Sequence, residues 1–143
     1  MRTLIVILLI AALVVVVSAV LKESEFRQAS YATYPELRAS GTFAGGWIPG
    51  WFPSSATRIQ TGHDLDTNES LLGFTIPDAT SWAVQACTET TQWTEPSDRA
   101  RALAGWPESF DPPAFSVYQC HANGRSGFLA KRGAEIWYWE SGY

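Results

Sequence analysis

The sequence predicts an α+β protein. A single N-terminal transmembrane helix leads into a small extracytoplasmic domain with an antiparallel sheet of about four strands and two or three short helices. Three observations predict this class. Residues 4–21 (LIVILLIAALVVVVSAVL) carry no charge, and only Ser18 is polar. The last third of the chain alternates apolar and polar residues between turn pairs, which is the period of half-buried strands. Between these ends lie short capped segments broken by Gly and Pro. Strands and helices segregated along the chain in this way define the α+β class.

The apolar run comes first. At 1.5 Å rise its eighteen residues span roughly 27 Å, close to a hydrocarbon core of about 30 Å. Arg2 precedes the run and Lys22 closes it. A cleavable signal peptide is the competing reading. Arg2 would supply its charged start, and Val16-Val17-Ser18 before Ala19 its cleavage site. The run exceeds the usual apolar region of about 7–15 residues, which favours a retained anchor. No cysteine follows it for lipid attachment. The domains expected are therefore an anchor and juxtamembrane helix over 1–28 and an α+β domain over 29–143, with the lipid bilayer a partner through residues 4–21.

Orientation rests on the cysteines. Arg2 on one side and Lys22 with Arg27 on the other give a weak positive-inside bias. Cys87 and Cys120 are the only two cysteines. An even count beside an export or anchor segment reads as one disulfide. The expected placement is the bacterial inner (cytoplasmic) membrane, single-pass, with the N-terminus cytoplasmic and the C-terminal domain periplasmic or extracellular. Closing a loop of about 30 residues would contribute roughly 3–4 kcal/mol.

Composition limits the function. The net charge of −4 argues against nucleic acid as a partner. Seven Trp among 143 residues supply ample core material. Cys87, Cys120, His63 and His121 lack zinc-finger spacing, so no metal is expected. No haem attachment motif is present, and no cofactor is expected.

After the anchor, residues 22–31 (KESEFRQASY) hold helix formers without Gly or Pro and extend the first helix. Residues 33–40 form a short helix with Thr33 as N-cap, Pro35 in its first turn and Gly41 as its stop. Gly and Pro exclude regular structure from Gly45 to Pro53. Ser54 or Ser55 caps a helical turn through Ile59, and His63 to Asn68 turns into a strand over 70–76. Residues 78–87 suit a helix with Trp82, Ala83, Ala86 and Cys87 on one face. Residues 97–104 form another, ended by Gly105. Strands follow over 114–121, 127–131 and 134–140, with turns at Asn123-Gly124 and Arg132-Gly133.

The middle segment carries a resemblance. Gly46-Trp47-Ile48-Pro49, then Phe52-Pro53-Ser54-Ser55-Ala56 with Ile59, then Asp64-Leu65-Asp66-Thr67-Asn68 and a strand ending in Phe74 resemble small bacterial envelope proteins with a YbbD-type head domain. Phe52 stands where that pattern more often has Leu. The resemblance implies a compact extracytoplasmic domain and transfers no functional residue.

Candidate sites follow from residue chemistry. Asp64, Asp66 and Asn68 match the first three oxygen positions of a calcium loop, but Glu69 and Thr75 stand where Gly and Glu belong. An Asx turn is the expectation. His63 beside Asp64 could serve acid–base work with Ser54 or Ser55, yet no nucleophile motif is present, so no catalytic residue is assigned. Trp137 and Trp139 fall on one face of the last strand and Tyr138 on the other. Trp47, Trp51, Trp137 and Trp139 are the candidate partner contacts, as aromatic anchors.

The function expected is an accessory or stabilising subunit of a larger membrane complex, with a protein partner and no enzymatic activity. The alternative is an envelope glycan- or peptide-binding module. A small hydrolase using His63 ranks last.

Overall fold

A computed structural model describes residues 2–78, 82–98, 103, 105–122 and 124–140. The first helix, α1, runs Arg2–Glu25. Among the described residues no helix is long and apolar enough to cross a membrane. This overturns the expected transmembrane anchor over residues 4–21. The expected single-pass inner-membrane placement, which rested on that anchor, is overturned with it.

The chain does not continue as helix to residue 31. Strand β1 takes Phe26–Thr33, where the backbone pairs with β2 (Thr57–Asp64) from Phe26↔Asp64 to Thr33↔Thr57. Interstrand pairing outweighs the helix propensity of this polar segment. Helix α2 follows at Tyr34–Ala39, directly after Thr33 as expected. Thr33 makes no side-chain cap; Glu36 reaches back instead, and its carboxylate accepts the Ala32 N–H at 2.8 Å. A 3-10 turn occupies Thr42–Gly45.

The remaining strands are β3 (Ser70–Thr75), β4 (Cys87–Glu89), β5 (Ser116–Ala122), β6 (Arg125–Arg132) and β7 (Glu135–Glu140). They form one seven-stranded sheet in the order β1-β2-β3-β7-β6-β5-β4, antiparallel at every pairing. The class is therefore mostly β, which corrects the expected α+β domain of about four strands and two or three helices. Besides α1, the α-helix described over its full length is the six-residue α2.

The three additional strands are β1, β2 and β4. The expected helical turn through Ile59 is the start of β2, because Thr57 to Asp64 is held by neighbours on both sides. In the expected helix over 78–87, residues 79–81 lie outside the described residues. Residues 82–86 are not helical, and Cys87 opens β4 directly opposite Cys120. Most of the expected helix over 97–104 also lies outside the described residues.

Both faces of the sheet are covered, so β3 and β7 are buried on both sides. One face, here the tyrosine face, packs Leu72, Phe74, Leu129, Ile136 and Tyr138 beneath Leu37, Ile48 and Phe52 of the N-terminal half. The opposite, tryptophan face packs Leu71, Val117, Ala130, Trp137 and Trp139 beneath Leu103, Trp106, Phe110 and Phe115. The Cys87–Cys120 disulfide joins β4 to β5. Gly127 on β6 lies under the phenol ring: a Cβ there would stand 2.7 Å from both the Tyr138 hydroxyl and the Trp139 carbonyl.

Candidate functional site

Cross-strand register builds a polar row at one end of the tyrosine face. His63 on β2 stands opposite Ser70 on β3, and Ser70 stands opposite Glu140 on β7. All three side chains therefore point to the same face. His63 Nδ1 lies 3.1 Å from the Ser70 hydroxyl. The Tyr138 hydroxyl donates to Glu140 Oε1 at 2.8 Å, and Arg125 pairs with Glu140 Oε2 at 3.2 Å. Trp47 closes the row from above, stacked on the imidazole with centroids 4.0 Å apart.

The row is sealed. His63 is 4 % exposed and Ser70 1 %. Burial holds the His63 pKa below its ordinary value, and the Arg125 charge adds to this against the opposing pull of Asp64. Burial also raises the Tyr138 pKa, with the Glu140 carboxylate adding to the effect. A serine hydroxyl beside a neutral imidazole has the composition of a nucleophile–base pair. This one lies buried at the end of the sheet, and its geometry secures strand ends. Ser54 and Ser55, named from sequence as partners for His63, are exposed; the imidazole bonds Ser70 instead.

The other sequence candidates find definite places. Asp64 Oδ1 accepts the backbone N–H groups of Asp66 and Thr67 at 3.0 and 3.2 Å, the Asx turn expected of this segment. Among the described residues no group of three or more His, Cys, Asp or Glu is placed to hold a metal. Trp137 and Trp139 are 4 % and 0 % exposed, so they offer no surface to a partner. Their indole N–H groups hold the overlying chain through the carbonyls of Gly105 and Thr94 at 3.3 and 2.8 Å. Trp47 and Trp51 are half-buried, the latter edge-on to Tyr138 at 5.0 Å.

The site that sequence reasoning missed is a sheet edge. β1 pairs only with β2, so its other side is open among the described strands. The Leu65 N–H donates to the Glu25 carbonyl at 3.0 Å, which sets the phase of the ladder. In an antiparallel pair the bonded positions alternate. Arg27, Ala29 and Tyr31 thus face β2, while Phe26, Gln28, Ser30 and Ala32 aim N–H and C=O outward. The outward Ala32 N–H is taken by Glu36. Phe26, Gln28 and Ser30 leave an open stretch of backbone donors and acceptors. The segment reads FRQASYAT, whose Tyr31 and Thr33 are its only β-favouring signals besides Phe26.

The fold and its edge define a mostly β domain built on one open antiparallel sheet. Residues 25–75 match the family model of the YbbD head domain. The match takes in β1, α2, β2, β3 and the chain that covers the tyrosine face, as the GWIP and DLDTN segments imply. No curated protein and no solved structure matches the chain.

Proposed function

We propose that this chain is a non-catalytic accessory subunit that holds a partner protein by taking one of its extended segments onto the β1 edge. The observation behind this reading is the outward backbone of Phe26, Gln28 and Ser30. Exposed strand edges are ordinarily shortened, bulged or charged to prevent pairing. The opposite edge, β4, is three residues long and tied to its neighbour by the disulfide. β1 has eight residues in unbroken register with β2 apart from its last step. Strand addition on such an edge draws affinity from main-chain bonds and specificity from alternate side chains. Arg27, Gln28 and Ser30 are exposed there.

Proline tests this reading. Gln28→Pro and Ser30→Pro remove outward N–H groups that β2 does not use, and edge positions of this kind tolerate Pro. The full tagged chain and the double variant are purified from the native source, sized and analysed for co-purifying chains. A partner in fixed stoichiometry, lost in the variant while its unfolding transition is kept, is the expected result. Amides of Phe26, Gln28 and Ser30 should gain exchange protection in the complex. An unchanged partner set in the variant overturns the reading, as does a complex holding only second copies of this chain.

A further inference from the structure

The tryptophan face holds a pocket whose chemistry the edge does not use. It has a volume of about 190 Å³ and is lined by Arg58, Gln60, Gly73, Thr75, Gly105 and Trp137, among others. Its floor is Gly73 on β3, opposite Gln60 of β2 and Trp137 of β7. The Trp106 Nε1 atom lies 3.4 Å from the place a Gly73 Cβ would occupy. Trp106 is 8 % exposed, and this indole N–H is buried without a hydrogen-bond partner among the described residues. An unsatisfied buried donor costs about 1–3 kcal/mol and calls for an explanation.

Arg58 stands at the mouth. Its φ is +50°, unusual for a residue with a side chain. It sits in the bulge where β2 slips register between Thr57 and Gln60. Bulges re-aim side chains, and strained backbone of this kind concentrates at ligand sites. The bulge directs the guanidinium to Thr75, whose Oγ1 accepts both Nε and Nη2 at 3.2 and 3.0 Å. Thr75 thereby keeps its own O–H proton to donate. Arg58 makes no ion pair among the described residues. Glu135, the one carboxylate in the lining, is engaged by Arg132 at 3.0 Å. The donors in the lining are one guanidinium, one hydroxyl and one side-chain amide.

We propose that this pocket binds the carboxylate of a small ligand, with Arg58 and Thr75 at its mouth and Gly73 at its floor, where the neighbouring Trp106 indole senses what enters. A carboxylate supplies several acceptor positions and accepts from a planar guanidinium without a competing donor. The source is either a peptide C-terminus or a free carboxylic acid, which share this group.

The test follows the indole N–H resonances of the full chain by NMR, with Trp106 assigned through Trp106→Phe. The probes are propionate, N-acetyl-alanyl-alanine and the carboxamide of that dipeptide. The expected result is a saturable shift of the Trp106 signal with a carboxylate and none with the carboxamide. Response to both acids means that a free acid suffices; response to the dipeptide alone assigns a peptide C-terminus. Arg58→Asn keeps a residue that tolerates positive φ and should weaken binding about tenfold or more. Gly73→Ala places a methyl on the floor and should abolish the Trp106 shift. An unmoved Trp106 signal overturns the proposal. So does an equal response to the carboxamide, or undiminished affinity in a folded Arg58→Asn chain.

Discussion

The two faces of the sheet are closed by different means. The tyrosine face is covered by the half of the chain that precedes β3, and its deepest groups at one end are polar. His63, Ser70, Tyr138 and Glu140 form a bonded row there, and Trp47 shuts it off from water. The tryptophan face is covered by Trp93, Leu103, Trp106, Phe110 and Phe115. It relies on stacked and edge-on rings: Trp139 touches Phe110, Trp106 and Phe128 at centroid distances of 4.7, 6.4 and 5.8 Å. The difference matters because rings fix area without fixing every donor. The polar row leaves its side chains partnered, whereas packed rings leave one buried indole N–H without a partner on each face among the described residues, Trp51 on the tyrosine face and Trp106 beside Gly73 on the other. The bonded row holds strand ends in register, while packed rings fill area and leave a pocket on each face.

Trp139→Ala should break the contrast most severely. It removes a wholly buried ring and the bond to the Thr94 carbonyl, so the cover of the tryptophan face loses its anchor. The expected loss is about 3–5 kcal/mol, read from denaturant unfolding. A loss below about 1 kcal/mol would mean that the cover does not depend on this ring.

Removing the disulfide should act next, and on the other side. Cys120 belongs to the tyrosine-face core, and the bridge closes a loop of 33 residues. Cys87→Ser with Cys120→Ser should lower stability by about 3–4 kcal/mol in the chain-entropy model, measured against the oxidised chain. Strand β4, with three residues, should lose amide protection first.

The smallest effect sharpens the comparison through pH. Burial lowers the His63 pKa below its ordinary 6.5, so the unfolded chain binds the proton more readily than the folded one. Stability is therefore full above pH 6.5 and falls as the pH drops below it. His63→Gln should flatten that acid slope, and substitutions in the tryptophan face should leave it intact. An unaltered slope in His63→Gln would show that other groups set it.

Much of this arrangement follows from local sequence. The turns at Gly124 and Gly133 and the alternation between them determine the β5–β6–β7 meander. The period of two puts Trp137 and Trp139 opposite Tyr138. Asp64 with the residues after it determines an Asx turn, and the cysteine pair determines the staple. These depend on neighbouring residues or on covalent chemistry, which a sequence displays directly. Tertiary structure alone decided the rest. Phe26–Thr33 and Thr57–Asp64 become strands because each finds the other across a separation in the chain that no local propensity records. The burial of Trp137 and Trp139 depends on the residues folded above them, and the open β1 edge on which strands lie beside it. Arg58 reaches the pocket only because a bulge, created by pairing with β3, turns its backbone to positive φ.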